Sequence, residues 1–210
     1  MKKIFFAILT FISVASYAQT LPAHSDFAPG DKLTYNTRVG FKNGKYEFIF
    51  SEVTSNFVKG IAIYDNQKMD FEMPAHGYLG KEFCLAEVME CNWTAPVKMF
   101  DKDSKLNDKW AGTTVVTMQN KSLIEEVLES KVEKFEKIKI KAGEFDAFKV
   151  YTTGSIKAKL AKGDVYTGTL KMSTWFGVAN NRLVLLKREY KNSFNSTFIQ
   201  ELANLPEIAN

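Results

Sequence analysis

Along most of the chain apolar and polar residues alternate with a period of two, the pattern of a β-strand with one buried face. Leu33, Tyr35, Thr37 and Val39 alternate with polar neighbours, Lys42-Asn43-Gly44-Lys45 supplies a hairpin signal, and Tyr46, Phe48 and Phe50 resume the alternation. A third strand is predicted from Phe57 through Ile61 and Ile63 to a turn at Asp65-Asn66. The clearest hairpin lies further on, where Ile138 and Ile140 alternate with lysines, Ala142-Gly143-Glu144 turns the chain, and Phe148 and Val150 follow on the returning strand. Further strands are predicted over Thr113 to Met118, Tyr151 to Leu160, Val165 to Thr174, Leu183 to Tyr190 and Phe194 to Leu202, with turns at Lys162-Gly163-Asp164 and Asn180-Asn181. The tail from Asn204 to Asn210 is expected to be loose.

Two segments depart from this pattern. Leu123, Ile124, Val127 and Leu128 fit helical spacing and Glu125, Glu126 and Glu129 favour helix, so both helix and strand stay open there. From Met69 to Lys105 the methionines and aromatic residues follow no clean period, and Pro74, Gly77, Gly80 and Pro96 interrupt them. This stretch reads as a loop-rich insertion with a short helix over Lys81 to Met89, placed to cover a concave sheet face. So many strands cannot stay flat, because strand twist accumulates across a sheet. The expected fold is mainly β: a curved antiparallel sheet, a half-barrel, carrying a loop-rich and partly helical insertion.

Several motifs, in their order along the chain, carry a resemblance. Pro29-Gly30-Asp31-Lys32-Leu33-Thr34-Tyr35 opens the first strand, and Leu106-Asn107-Asp108-Lys109-Trp110 lies mid-chain with Asn107 where the pattern has Gly. Ile140-Lys141-Ala142-Gly143-Glu144-Phe145-Asp146-Ala147-Phe148-Lys149-Val150 forms the central hairpin, followed by Thr174-Trp175-Phe176 and Val184 to Glu189. In these features the chain resembles the TapB-like families of exported bacterial proteins. The resemblance implies a curved antiparallel sheet similar to the half-barrels of lipoprotein-carrier folds, and it brings no catalytic residues.

The chain begins with Lys2 and Lys3, an apolar run from Ile4 to Val14 and the small residues of Ser16-Tyr17-Ala18. That order is the pattern of a secretory signal peptide over residues 1–18, cut before Gln19 and leaving a single β-rich domain over 19–210. With no Cys near the cut, a lipid anchor is not expected, and no later apolar run suits a transmembrane segment. The formal charge of +4 falls to +2 once Lys2 and Lys3 are removed. Glutamates interleave with the lysines of Lys131 to Lys141, which argues against nucleic acid as a partner.

Catalytic chemistry has little to build on. The two histidines, His24 and His76, and the pair Cys84 and Cys91 offer neither a zinc spacing nor a convincing nucleophile and base. In an oxidising compartment the two cysteines are expected to form a disulfide. Asp101-Lys102-Asp103-Ser104-Lys105 echoes a calcium loop, but Leu106 and Gly112 stand where such a loop needs Gly and Glu. No cofactor and no metal is expected. The function expected first is a non-catalytic binding module of the cell envelope, periplasmic or secreted. It would hold an apolar or lipid-like ligand on the concave face, with Phe48, Phe50, Trp175 and Phe176 as candidate lining. An envelope or secretion-apparatus protein that docks through a sheet edge is the alternative, and a hydrolase comes last.

Overall fold

The computed structural model of the chain describes residues 19–209 except 56, 75–77, 80–81, 85–88, 94–96, 99 and 119, and between 73 and 97 it describes the backbone alone. Among the described residues fourteen strands follow one another: β1 Lys32–Val39, β2 Lys42–Val53, β3 Phe57–Tyr64, β4 Gln67–Pro74, β5 Tyr78–Leu79, β6 Glu82–Cys84 and β7 Met89–Trp93. They continue with β8 Val97–Lys98, β9 Lys109–Met118, β10 Leu123–Ile140, β11 Gly143–Lys159, β12 Val165–Ala179, β13 Arg182–Asn192 and β14 Thr197–Leu202. Twelve make one antiparallel sheet in the order β4-β3-β2-β1-β14-β13-β12-β11-β10-β9-β7-β6, and β5 and β8 pair separately. Its two end strands, β4 and β6, lie beside each other. The sheet therefore comes round on itself, as accumulated twist in a sheet of this size favours.

Among the described residues two buried clusters form the core. The first gathers Leu33, Tyr35, Tyr46, Phe48, Phe50, Tyr64 and Phe71 from β1 to β4 with Ala147, Val184, Leu186 and Leu202. The second gathers Phe100, Leu128, Val132, Phe148, Val150, Leu170, Met172 and Phe176. Ala147 and Phe148 are neighbours in β11 yet enter different clusters, so at this point the sheet is buried on both faces. The long strands bend at register shifts between Val132 and Lys134, between Trp175 and Phe176, and between Phe50 and Glu52.

The structure corrects the sequence reading in several places. No helix occurs among the described residues. The expected helix over Lys81 to Met89 gives way to β6 and the start of β7, with 81 and 85–88 outside the described residues. The reason was present in the sequence, since Met89-Glu90-Cys91-Asn92-Trp93 alternates with the period of a strand. Leu123 to Leu128 is strand, held between β9 and β11, so pairing on both sides overrides the helix propensity of its glutamates.

The first hairpin turns at Gly40 and Phe41, and Asn43-Gly44 lies inside β2. Gly40 takes φ +58, the left-handed region that a tight turn requires and glycine adopts at no steric penalty. The expected tie between Cys84 and Cys91 is not supported. The register sets Cys84 opposite Met89 and Cys91 opposite Glu82, a diagonal relation with Cα atoms about 7–8 Å apart. That exceeds the usual disulfide span of about 4.4–6.8 Å, and both side chains lie outside the described residues. The tail expected to be loose is tied down: Glu207 exchanges both backbone hydrogen bonds with Lys32, and Asn180 donates to the Pro206 carbonyl.

Candidate functional site

The residues expected to line a ligand site divide between the two clusters, with Trp175 packed against the first and Phe176 in the second. Phe48 and Phe50 sit in the first cluster, where both rings meet Phe71 edge-on, and Phe50 also stacks on Phe27. Phe176 lies in the second cluster, stacked on Phe100 with ring centroids 4.9 Å apart. Trp175 is half-buried and held by its own chain. Its indole N–H donates to the Glu136 carboxylate at 2.9 Å, and the ammonium groups of Lys149 and Lys187 each stand 5.5 Å from its ring. Burial pushes the Glu136 carboxyl up, but the hydrogen bonds from Lys134 and Trp175 outweigh it and hold the group below its ordinary value. Lys149 and Lys187 are in turn paired with Glu133 and Glu189.

A different set of residues stands out. Thr174 of β12 is in register with Arg188 of β13, Arg188 with Gln200 of β14, and Gln200 with Thr37 of β1. Directly opposed residues share a face, so these four side chains form one row across four strands. It is a buried row: Thr174 is 0%, Thr37 4% and Gln200 5% exposed, and Arg188 is half-buried. The Thr174 hydroxyl, the Arg188 Nε and the Thr37 hydroxyl are all buried with no hydrogen-bond partner among the described residues. Buried polar atoms are nearly always satisfied, so three orphans in one row require an explanation.

The surroundings make the Arg188 guanidinium more unusual. It forms no ion pair among the described residues, and the residues in register with it, Thr174 and Gln200, are uncharged. Val150 and Val132 extend the row through β11 and β10, and Met172, Tyr190 and Phe198 form the next row on the same face. On the other side lies the buried tyrosine ladder of Tyr35, Tyr46 and Tyr64, in register across β1 to β3. Burial raises the Tyr35 phenol well above its ordinary value, and the nearby Arg188 charge opposes that rise. Tyr64 lies over Gly44, itself in register with Thr37, so its ring borders the end of the row.

Further along the same face of β10, Glu126 is in register with Thr114 and Ile156. Burial pushes its carboxyl up to about 7. Tyr190, also largely buried, is pushed up to about 12, helped by the Glu126 charge and opposed by the hydrogen bond from Asn192. A shallow open groove of about 410 Å³ is lined by residues of both parities of these strands, Arg38, Tyr151, Lys171, Glu189 and Lys191 together with Met172, Tyr190 and Phe198. Its basic side chains are exposed. The Asp101 segment resolves into a turn: the Asp101 carboxylate accepts from the Ser104 hydroxyl and the Asp103 amide. No cluster of metal-ligating residues occurs among the described residues, and no helix among them is long and apolar enough to cross a membrane.

Two solved structures share this architecture. One is a presumed lipoprotein of Parabacteroides distasonis, with a TM-score of 0.55 and 14% identity, covering 89% of this chain and 100% of that one. The other is a presumed exported protein of Bacteroides fragilis with a YmcC-like fold, with a TM-score of 0.57 and 14% identity over 87% of this chain and 98% of that one. The fold is similar to the YmcC-like fold. No protein-family model and no curated protein matches the chain, so the TapB-like resemblance rests on its motifs alone.

None of Arg188, Gln200, Thr174 and Thr37 is a candidate site residue by sequence, although Thr37 and Thr174 lie in predicted strands. One signal was available, the shared parity of Val184, Leu186, Arg188 and Tyr190 in the last long strand, but the register shift opposite Trp175 and Phe176 puts Val184 and Arg188 on opposite faces.

Proposed function

We propose that the protein is an exported, non-catalytic binding module of the bacterial envelope that holds an apolar or lipid-like ligand against the buried face of its sheet. The observation that carries this reading is the row Thr174, Arg188, Gln200 and Thr37, where three buried polar atoms lack partners among otherwise apolar neighbours. A core evolved only for stability gains nothing from such atoms, each of which loses about 1–3 kcal/mol by desolvation. On this reading a polar group of the ligand supplies the missing partner at Arg188. Export is supported by the signal-peptide pattern of residues 1–18 and by the descriptions of the two fold neighbours.

Native mass spectrometry of protein recovered from an exporting host without detergent tests the reading. The expected spectrum shows a mass excess that dissociates as discrete lipid-sized species. A clean apoprotein that takes up no added lipid would overturn it and direct attention to protein partners at the sheet edge.

A further inference from the structure

We propose that the ligand is an anionic amphiphile, with one acidic group on a hydrocarbon body, whose carboxylate or phosphate seats on the Arg188 guanidinium. This rests on the binding-module reading and names the chemistry of its ligand. The argument begins with charge. Asp31 and Arg182, the buried charged residues among those described, form an ion pair at 2.7 Å, and the Asp31 oxygens also accept from backbone amides. Arg188 has no such counterpart. The acidic residues nearest in sequence, Glu189 and Glu201, belong to the opposite face by strand alternation, where Glu189 pairs with Lys187.

A half-buried cation among uncharged neighbours is stabilised by an anion, and a guanidinium matches the planar fork of a carboxylate or the edge of a phosphate. The flanking groups suit the same head. The Thr174 hydroxyl and the Gln200 amide lie in register on the two sides of Arg188 and can donate to an oxyanion, while Thr37 lies one strand further, beyond Gln200. No carboxylate stands in that row; Glu126, further along the same face and near enough to act on Tyr190, is pushed up to about 7 by burial.

The apolar part of the ligand follows from the neighbouring rows. Met172, Tyr190 and Phe198 lie next to Arg188 on the same face, and Leu170 and Val150 continue the surface into the second cluster. Met172 supplies a flexible, polarisable contact that adapts to a hydrocarbon chain. A free inorganic anion would use Arg188 and leave this surface without a role, and an uncharged lipid would leave Arg188 without its counter-ion.

Equilibrium binding of four probes separates the possibilities: palmitic acid, the corresponding alcohol, the corresponding monoalkyl phosphate, and inorganic phosphate. Each is measured with the wild-type protein, Arg188→Gln and Thr174→Val. The expected result is tight binding of the acid and the alkyl phosphate and weaker binding of the alcohol. Arg188→Gln should weaken the two anionic lipids roughly ten- to hundredfold while leaving the alcohol unchanged. Retained alcohol binding also shows that the variant keeps its fold, and Thr174→Val gives a second reading with the guanidinium in place. Equal binding of acid and alcohol, unaffected by Arg188→Gln, would overturn the anionic head and leave the binding module standing. Inorganic phosphate binding as tightly as the alkyl phosphate would overturn the amphiphile. If none of the four binds, the binding-module reading fails as well.

Discussion

Glu126 is a carboxylate whose folded and unfolded states prefer different protonation. Burial raises it to about 7 in the folded protein, above the value of 4.5 for an exposed glutamate. The folded state therefore binds the proton more tightly, and stability falls as pH rises from about 4.5 to about 7, then levels off. Glu126→Gln removes the titrating group, so the variant should lose this decline and be more stable than the parent at pH 8 by about 1–3 kcal/mol. Denaturant midpoints measured at pH 5 and pH 8 check it, and a parallel decline in both proteins would refute the assignment. Such residues are hard to read from sequence. Glu126 sits among Glu125 and Glu129 and looks like one more helix-favouring glutamate until pairing with β9 and β11 assigns its face. The parity of Arg188 was legible, but the face it joins depends on the register shift opposite Trp175 and Phe176, and its lack of a counter-ion depends on which residues β12 and β14 bring opposite it.

At the level of elements, local alternation carried most of the information. The strand pattern of β1 to β3 and the central hairpin of β10 and β11 follow directly from it, while the ends of elements do not. Asn43-Gly44 has the composition of a hairpin turn, but Gly44 is there because a Cβ would come within 2.6 Å of the Tyr64 hydroxyl and 2.9 Å of its ring. That constraint comes from β3, outside any local window. Gly44→Ala should destabilise the protein by on the order of 1–2 kcal/mol through overpacking. Most of the loss should vanish in a Tyr64→Leu background, and a double-mutant cycle in urea shows whether the two effects couple. Additive effects would mean that Gly44 is required for a reason other than the Tyr64 ring. The length of β11 and β12 was also missed, because Tyr151 and Thr174 continue the strands that precede and follow them across residues with no turn signal between.

For the molecule as a whole, the Asp31–Arg182 pair joins three distant parts of the chain. Arg182 at the start of β13 donates to Asp31, whose oxygens also accept from the amides of Ala28 and Ala209. Burial pushes the Asp31 carboxyl up, but these donors outweigh it and leave it below its ordinary value. A depressed carboxyl contributes stability that is present above its unfolded value and lost as pH falls through its folded one. Arg182→Met leaves Asp31 buried and uncompensated, so it should lower stability at pH 7 by roughly 3 kcal/mol. It should also remove the loss seen in acid below about pH 4, which thermal midpoints across that range would reveal. The Pro29-Gly30-Asp31 motif marks this clasp in the sequence, but its partners lie at the far end of the chain.

The position of β14 has a consequence for how the protein folds. It pairs with β13, just before it in sequence, and with β1, near the opposite end of the chain. β1 to β4 and β9 to β13 are meanders that can zip up locally, each strand finding its neighbour across a short turn. Among the described strands, β14 is the one paired with a strand of each meander. A chain delivered from its N-terminus thus holds two unfinished half-sheets, each with an open edge, until its final residues arrive. Contacts between such distant segments form slowly and leave those edges open to mispairing in the meantime. Loss of residues 197–210 would therefore deprive the chain of the strand that unites its halves, well beyond a trimmed terminus.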